Sequence, residues 1–599
     1  MDNLPDPRWR AALDHSRYLA NLLGTRPGLI AELATVWTAP LSAGQLLAAL
    51  EPAATDDDTL KSQLRRLRQH AMAHIALRDL CGLAPLSEVV ESMTLLADVT
   101  TNFALDYHHR QLAATYGEPL DAAGKPQRLL IIGMGKLGGR ELNVSSDVDY
   151  IFVYPSEGDT AGPRRIENYD FFTRLGKRVI AALGEITGDG QVFRVDMRLR
   201  PNGDSGPLVC SLDGLENYFI TQGREWERYA WIKGRTMNAG DNLQPEWVTA
   251  MQKIARPFVF RKYLDFGAIN AMRDLHAQIR REVARKDMAD HIKLGRGGIR
   301  EIEFIAQVFQ LIRGGRDPAL QVRPTLQVLA LLAERQLIPA AAEDELRAAY
   351  VFLRRLEHRL QYIEDRQTHM LPASPGERAS IARSMEFPDW PALLAVLNDH
   401  RDKVSRHFEE IFSDPEAGEH PLTGLWLGQL DDDTAIESLG ELGYRQPREA
   451  IARLAALRAS GRYLQLASAN RSRLDAVGPR LIEAAATTAD PDTTLARCLN
   501  FVETVSRRGA YLALLQQYPM ALRRVADMVC ASPWAADYLG RHPLLLDELL
   551  DPRLYDMATD WAAFRENLRH NLASHAGDTE REMDILREMH HAQIFRLLA

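Results

Sequence analysis

The segment that decides the fold is LLIIGMGKLGGRELNVSSDVDYIFVY, which runs from Leu129 to Tyr154. Its first apolar run, Leu129–Ile132, predicts a β-strand, and the glycine-rich run after it predicts a tight turn. An Asp-x-Asp motif then opens a second predicted strand. Because alternate residues of a strand point to the same face, Asp147 and Asp149 are expected to project together. Two carboxylates this close repel each other unless a cation lies between them, which indicates a site for Mg²⁺, with Mn²⁺ as the alternative.

The run VFRVDMRLR, residues 192–200, predicts a third strand that supplies another carboxylate. Its odd-numbered positions are apolar, whereas its even-numbered positions carry arginines around Asp196. Asp196 is therefore the expected third metal ligand. Arg198 and Arg200 on the same face suit phosphate oxygens, which a guanidinium group holds with two parallel hydrogen bonds. Three carboxylates, a glycine turn and arginines together predict a site for phosphoryl or nucleotidyl transfer.

The rest of the chain is predicted to be mainly helical. Leu346–Ile363 repeats apolar residues every three or four positions, as an amphipathic helix does. Similar patterns run through the first hundred residues and through 265–285, 299–335 and most of 430–599. A small α/β module, between about 120 and 235, is thus inserted into a helical protein. The chain stops within a helical pattern, which favours a fragment of something longer.

Composition excludes several classes of protein. The 599 residues include 72 Lys and Arg against 81 Asp and Glu, so the net charge is −9. This balance argues against a bulk nucleic-acid binder, and the length predicts several domains. The four cysteines lie far apart with no CxxC pair, which excludes a local zinc ribbon or a disulfide framework. Without a signal-peptide core or an apolar run of about 18 residues, a cytoplasmic location and no membrane partner are expected.

The glycines also permit a different interpretation. Gly133, Gly135 and Gly138 spell GxGxxG directly after a strand, as in dinucleotide-binding proteins, and Glu157 lies where a ribose-binding acid is expected. No further βαβ units follow, and this interpretation leaves the three aspartates without a role. An NAD-binding protein is therefore the weaker hypothesis, and tight NAD binding unaffected by Asp147→Asn would favour it.

The same residues resemble the nucleotidyltransferase superfamily, whose pattern is Gly-Gly or Gly-Ser, then Asp-x-Asp, then a distant third carboxylate. More narrowly, the chain is similar to the family of bifunctional glutamine synthetase adenylyltransferase/adenylyl-removing enzymes. The matching blocks are GMGKLGGRELNVSSDVDYIFVY (133–154), VFRVDMRLRPNGDSGPL (192–208), WERYAWIKGR (226–235), KLGRGGIREIEFIAQVFQL (293–311), FLRRLEHRLQYIEDRQTHMLP (352–372) and FVETVSRRGAYLALL (501–515).

The resemblance implies a mainly α protein with an inserted α/β nucleotidyltransferase domain of the polymerase-β-like type and helical bundles before and after it. The expected divisions are a helical N-terminal region (1–118), the adenylyl-removing nucleotidyltransferase domain (119–275), a helical bundle (276–413) and a helical linker or regulatory region (422–599). Family members carry a second nucleotidyltransferase domain that adds AMP. No second copy of the motif occurs between 430 and 599, so the chain is expected to end before that domain.

The implied reaction is removal of AMP from adenylylated glutamine synthetase by phosphorolysis, in which adenylyl-tyrosine and phosphate give tyrosine and ADP. This reaction would regulate nitrogen assimilation, and a full-length parent would also adenylylate glutamine synthetase with ATP. The implied partners are glutamine synthetase as the protein substrate, phosphate with ADP or ATP, and a PII-type signalling protein, with glutamine as a regulator. The alternative hypothesis is a non-catalytic fragment that docks glutamine synthetase or a PII-type regulator.

The expected site residues form two groups. Asp147, Asp149 and Asp196 would hold the metal and carry catalysis. The residues expected to bind phosphate or nucleotide are Gly138, Gly139, Ser145, Ser146, Arg198, Arg200, Lys233 and Arg235. For the last two, a solvated turn is the alternative interpretation. The two glycines would bring backbone N–H groups close to phosphate oxygens. In the later block 293–304, an anion-binding loop is expected at Arg296–Gly298, followed by a salt-bridged helix start.

Overall fold

The computed structural model describes residues 4–50, 54–239, 243–261, 290–412, 420–506, 509–542, 545–546, 549, 561–573 and 579–598. The chain divides into two units, one formed by Met1–Lys262 with Met272–Ile411 and the other by Tyr263–Ala271 with Phe412–Ala599. The mainly helical character with one small sheet is confirmed. The helix predicted over 265–285 lies outside the described residues, and the division into four parts stays a prediction.

Helices make up most of the first unit. They are α1 (Arg8–His15), α2 (Arg17–Thr25), α3 (Gly28–Val36), α4 (Ala43–Ala48), α5 (Asp57–Leu80), α6 (Leu86–Tyr116), α7 (Gly135–Gly138), α8 (Asn168–Gly184), α9 (Leu212–Thr221), α10 (Glu225–Trp231), α11 (Pro245–Val259), α12 (Ile299–Arg313), α13 (Thr325–Glu334), α14 (Ala340–Tyr362), α15 (Pro375–Ser384) and α16 (Trp390–Phe412). Short 3₁₀ helices lie at Gly203–Ser205 and Pro318–Gln321. The predicted stripe at 346–363 is confirmed as part of α14.

The sheet of the first unit has five strands, which are β1 (Leu130–Gly133), β2 (Asp147–Tyr154), β3 (Arg194–Asp196), β4 (Val209–Ser211) and β5 (Arg235–Thr236). Strand β1 lies between β2 and β5 and is antiparallel to both. On its other side β2 pairs in parallel with β3 and then with β4. A dinucleotide-binding unit needs β1 and β2 parallel and joined by a helical crossover, so the GxGxxG interpretation is wrong.

Helix α8 covers one face of this sheet. Its apolar residues recur on one side and are buried, and the Phe172 ring stacks on Tyr154 with centroids 5.3 Å apart. Gly176 allows close approach, since a Cβ there would lie 2.8 Å from the Phe152 ring. This packing fixes the second half of β2 in the core and leaves the first residues of the strand at the edge of the core.

The third strand is shorter than predicted. Regular pairing stops at Asp196, although alternation of apolar and charged residues continues to Arg200. The N–H of Arg198 donates to Asp196 Oδ1 at 2.8 Å, and the N–H of Arg200 donates to Met197 O at 3.2 Å. These local hydrogen bonds turn the chain away from the sheet. They compete with the hydrogen bonds of strand pairing, and the alternation of apolar and charged residues does not reveal this competition.

The regular secondary structure in the described residues of the second unit is entirely helical. Its helices are α17 (Thr423–Leu427), α18 (Asp432–Glu441), α19 (Pro447–Ala459), α20 (Gly461–Leu464), α21 (Ser468–Ala486), α22 (Pro491–Val505), α23 (Gly509–Gln517), α24 (Pro519–Ala531), α25 (Pro533–Arg541), α26 (Trp561–Ala573) and α27 (Thr579–Leu598). Trp426 is buried against Gly478 and donates its indole N–H to Asp475 at 2.9 Å. Across the described parts of both units, no helix is long and apolar enough to cross a membrane.

Candidate active site

The three predicted carboxylates come together where the first residues of β2 pair with β3. The parallel register places Asp149 opposite Asp196 and Asp147 opposite Arg194. Asp147, Asp149 and Asp196 all line one cavity of about 490 Å³ in the first unit. We call these three residues the carboxylate set. The Asp-x-Asp spacing and the strand alternation thus predicted the meeting point of the three side chains.

Arginines hold two members of the carboxylate set. Arg194 Nε lies 2.6 Å from Asp147 Oδ1, and Arg198 Nε lies 2.8 Å from Asp196 Oδ2. The hydrogen bonds from Arg198 lower the pKa of Asp196. The Arg198 side chain is 73% exposed, so water competes for this pair and it can exchange its partner at little cost.

Asp149 is the member without such a partner. No described residue donates a hydrogen bond to its carboxylate, which faces the cavity. Burial raises its pKa to about 6, and the negative charges of Asp196 and Asp147 add to the effect. Gly135 approaches it closely with φ +54°, and a Cβ at that position would lie 3.3 Å from Asp149 Oδ2. The site therefore concentrates negative charge at the Asp149 carboxylate, and a bound cation would offset this charge.

The donor set fits a divalent cation in chemistry, because carboxylate oxygens are the ligands that Mg²⁺ and Mn²⁺ prefer. In the arrangement described, however, no three His, Cys, Asp or Glu side chains among the described residues are placed to hold one ion. Asp147 and Asp196 are instead turned onto arginines. Metal binding would require Arg194 and Arg198 to release these carboxylates.

Three of the residues predicted to bind phosphate line the same cavity, namely Ser146, Arg198 and Lys233. The others do not line it. Arg200 is bound to backbone oxygens of Met197, Asp204 and Gly206 in the following loop. Ser145 is buried and donates its N–H to Gln361. Strand alternation failed for Arg200 because the strand ends four residues before it.

The two glycines have a different role from the predicted one. The N–H of Gly138 donates to Met134 O and that of Gly139 to Gly135 O, both at 3.0 Å, so neither is available to a phosphate. A Cβ on Gly138 would lie 1.9 Å from the carbonyl oxygen of Lys233. Glycine is needed here because two backbone segments touch, and the prediction of phosphate-binding amides was wrong.

Three further cations line the cavity beside Lys233 and Arg198. Lys136, Lys293 and Arg300 join Lys233 there, and we call these four the cationic set. Burial raises the pKa of Glu303 in the same cavity, but the charges of Lys233, Lys136 and Lys293 outweigh it and the pKa is lowered overall. The carboxylate and cationic sets thus share one cavity, which brings carboxylate oxygens and potential phosphate-binding cations together.

Sequence reasoning missed most of this cationic set. Arg300, Glu303 and Gln307 lie at helical spacing on α12 and line the cavity, so the charged helix start is part of the site. That helical spacing was the feature of the sequence that could have identified these residues as part of the site. The anion-binding loop expected at Arg296–Gly298 is not part of the site, because Arg296 pairs with Glu409 at 3.7 Å and does not line the cavity.

A buried polar network supports the cavity from behind. Lys136 Nζ lies 3.1 Å from Glu357 Oε2 on α14, and Arg354 Nε lies 3.1 Å from the same oxygen. His369 Nδ1 lies 2.8 Å from Glu357 Oε1, and the Glu357 side chain is fully buried. Burial and the Arg354 guanidinium lower the pKa of Lys136 to about 7, although Glu357 opposes this.

The network continues to Lys233. Its ammonium donates to Glu141 and, at 3.0 Å, to Thr325 Oγ1. The N–H of Thr325 donates to Glu141 Oε1 at 2.7 Å, and Arg354 Nη2 donates to Glu141 O at 2.7 Å. Two members of the cationic set are therefore positioned by helices α13 and α14, which lie far beyond the sheet along the chain.

A cavity that combines three carboxylates with several cations is typical of enzymes that act on phosphate groups. The family model for glutamate-ammonia ligase adenylyltransferase matches residues 8–250 and 522–599, more than half of the chain. The chain belongs to this family of nucleotidyltransferase enzymes. A second model, GlnD PII-uridylyltransferase, matches residues 273–412.

Similar relatives bear one name, bifunctional glutamine synthetase adenylyltransferase/adenylyl-removing enzyme. The protein of Aromatoleum aromaticum is 57% identical over 599 residues, which are 100% of this chain and 63% of the relative. Those of Chromobacterium violaceum and Nitrosomonas europaea are 51% and 48% identical over 98% of this chain and cover 65% and 64% of the relatives. The chain thus spans a little under two thirds of the length of these relatives.

Proposed function

We propose that this chain removes AMP from adenylylated glutamine synthetase by phosphorolysis. The observation that carries the proposal is the single cavity in which the carboxylate set and the cationic set meet. The relatives' name covers both addition and removal of the adenylyl group. The family resemblance assigns removal to the first of two nucleotidyltransferase domains, and the cavity belongs to the one such motif in this sequence.

In the proposed reaction a phosphate oxygen attacks the phosphorus of adenylyl-tyrosine. The new P–O bond gives ADP, the bond to the tyrosine oxygen breaks, and the phenolate takes up a proton. Asp147, Asp149 and Asp196 would hold Mg²⁺, or alternatively Mn²⁺, which when bound polarises the phosphoryl group and stabilises the leaving oxygen. With an ordinary tyrosine pKa near 10, the phenolate is a moderate leaving group.

The cationic set would bind the incoming phosphate. Lys293 and Arg300 reach the cavity from the loop before α12 and from its first turn, and Lys136 and Lys233 reach it from the network. Arg198, once released from Asp196, offers a planar pair of donors to a phosphate oxygen pair. These groups would neutralise the charge of phosphate and of the ADP product.

Trp226 would bind the adenine ring. It lines the same cavity and is 40% exposed, which is unusual for so large an apolar side chain. Stacking of a base on an aromatic ring contributes about 1–3 kcal/mol. A tryptophan at the rim of a cavity otherwise lined by charged groups therefore suits a nucleotide.

The protein partners follow from the family. Glutamine synthetase would be the substrate, and a PII-type protein the regulator, which the match of residues 273–412 to the GlnD PII-uridylyltransferase model supports. The full-length parent would also add AMP with ATP.

The test is ADP formation from adenylylated glutamine synthetase, phosphate and Mg²⁺, with the PII-type regulator present. Asp149→Asn should lower the rate by at least about 100-fold, since metal charge stabilisation contributes several kcal/mol. Asp344→Asn is the matched control, because Asp344 is exposed on α14 and no described residue pairs with it. Equal rates for the wild type and Asp149→Asn would refute the proposal.

A further inference from the structure

The first unit contains a second cavity, of about 250 Å³. Its described lining comes from the segment Trp231–Thr236, from α11 and from the residues around the 3₁₀ helix at Pro318–Gln321. No described residue lines both this cavity and the candidate active site. Lys233 lines the active site while Gly234 and Arg235 line the second cavity, so the two lie on opposite sides of one short segment.

Positive charge dominates the polar lining of this second cavity. Its charged lining residues are Arg235, Arg256 and Arg323, and no Asp or Glu occurs among the described residues that line it. Arg235 is neutralised, because its Nη atoms donate to the Asp98 carboxylate at 2.8 and 3.1 Å. The charges of Arg256 and Arg323 are not neutralised by a carboxylate among the described residues.

Arg323 is the more informative of these two. Its Nε donates to Gly234 O at 2.8 Å, but no carboxylate among the described residues pairs with it. Burial lowers its pKa, and the charges of Arg235 and Arg256 lower it further. Charges removed from water in proteins are as a rule paired, so a half-buried guanidinium whose charged neighbours are other guanidinium groups indicates a missing anion.

Arg256 provides a second donor from a different element. It lies in the last turn of α11 and is exposed, and the described residues offer its side chain no hydrogen bond or ion pair. Two guanidinium groups that approach one cavity from α11 and from the segment after the 3₁₀ helix form the arrangement that holds carboxylate or phosphate.

The remaining surface of the second cavity is largely apolar. Ile132, Trp231, Met251 and Val259 line it and are buried, and Phe260 lines it beside them. Ligand cavities commonly combine such walls with a few polar anchors, and a volume just below their usual range of about 300–1,000 Å³ suits a small ligand. The lining therefore suits an anion attached to an apolar body and not a bare inorganic ion.

We propose that this second cavity binds a small organic oxyanion, a carboxylate or a phosphate on an apolar body, with Arg256 and Arg323 as its anion-binding residues. This inference is independent of the proposed phosphorolysis. A ligand there would contact the segment whose other side faces the active site. Arg235 also donates to Leu137 O at 3.2 Å, which connects this segment to the glycine turn.

The test uses three probes of similar shape, which are benzoate, phenyl phosphate and neutral benzyl alcohol. Binding is titrated by saturation-transfer NMR on the full chain. We expect saturable binding of benzoate, phenyl phosphate or both, and binding of benzyl alcohol at least tenfold weaker. The tighter of the two anions identifies the oxyanion that the natural ligand carries.

Variants locate the binding. Arg256→Gln and Arg323→Gln should each weaken anion binding at least tenfold, and Arg256→Gln removes no described contact, so it should fold normally. Arg300→Gln, in the cationic set of the active site, should leave anion binding at the second cavity unchanged, which separates it from phenyl phosphate bound in the active site. The proposal is overturned if neither anion saturates, if benzyl alcohol binds equally well, or if both arginine variants bind like the wild type.

Discussion

The carboxylate set and the cationic set share one cavity but are assembled in different ways. Asp147, Asp149 and Asp196 lie on two neighbouring strands, where backbone register alone brings them together. The cations come from four separate segments, and two of them, Lys136 and Lys233, are positioned by a network that reaches helices α13 and α14. The difference shows that one set depends on local strand geometry and the other on tertiary packing.

The largest expected effect on stability concerns the support of the cationic set. Glu357→Gln should lower the free energy of unfolding by about 3–5 kcal/mol, because it leaves Lys136 and Arg354 buried with less compensating charge. Equilibrium urea unfolding measures this change. Glu343→Gln on the same helix is the control, since Glu343 pairs with the 42% exposed Arg347 and should cost about 1 kcal/mol or less. Equal costs would show that the network does not support the cavity.

A smaller effect concerns the glycine turn between the two sets. Gly138→Ala should destabilise the protein by about 1–3 kcal/mol, because the new methyl group meets the backbone of Lys233 and Gly133. It should also reduce ADP formation, since the turn carries Lys136. Gly44→Ala, at a position with no atom within 4 Å of the new Cβ, is the matched control in thermal unfolding and should be neutral or slightly stabilising. Normal stability and activity of Gly138→Ala would contradict the close packing.

The sequence predicts the carboxylate set better than it predicts the cationic set. The carboxylate set was predictable because a period of two residues fixes which side chains of a strand share a face. Arg200 was misplaced because the strand ends early, through a hydrogen bond between Asp196 and Arg198 that alternation does not encode. Lys136 and Lys293 could not be assigned, since their place in the cavity depends on how distant helices pack.

The smallest effect tests the charge of the carboxylate set through pH. The pKa of Asp149 is raised from 3.8 to about 6, so between these values the folded protein keeps a proton that the unfolded chain releases. Stability therefore decreases as pH rises through this window, and Asp149→Asn removes the decrease. In EDTA the variant should melt at a higher temperature than the wild type at pH 7.5, and the difference should vanish near pH 4.

Two controls sharpen this result. Asp344→Asn, exposed on α14, should give no such difference at either pH. Addition of Mg²⁺ at pH 7.5 should reduce the advantage of Asp149→Asn, because the cation offsets the repulsion in the wild type. An advantage that is independent of both pH and Mg²⁺ would show that the three carboxylates do not share a charge site.

The most direct test of the two-set account is the rate of ADP formation as a function of phosphate concentration. Asp196→Asn is compared with Arg300→Gln, using adenylylated glutamine synthetase as substrate. The account predicts that Asp196→Asn lowers kcat by about 100-fold or more with little change in KM for phosphate. Arg300→Gln should instead raise KM for phosphate by about tenfold with a smaller change in kcat. If Asp196→Asn kept its kcat, or if both variants changed the same parameter alike, the division of the cavity into a catalytic and a phosphate-binding set would be contradicted.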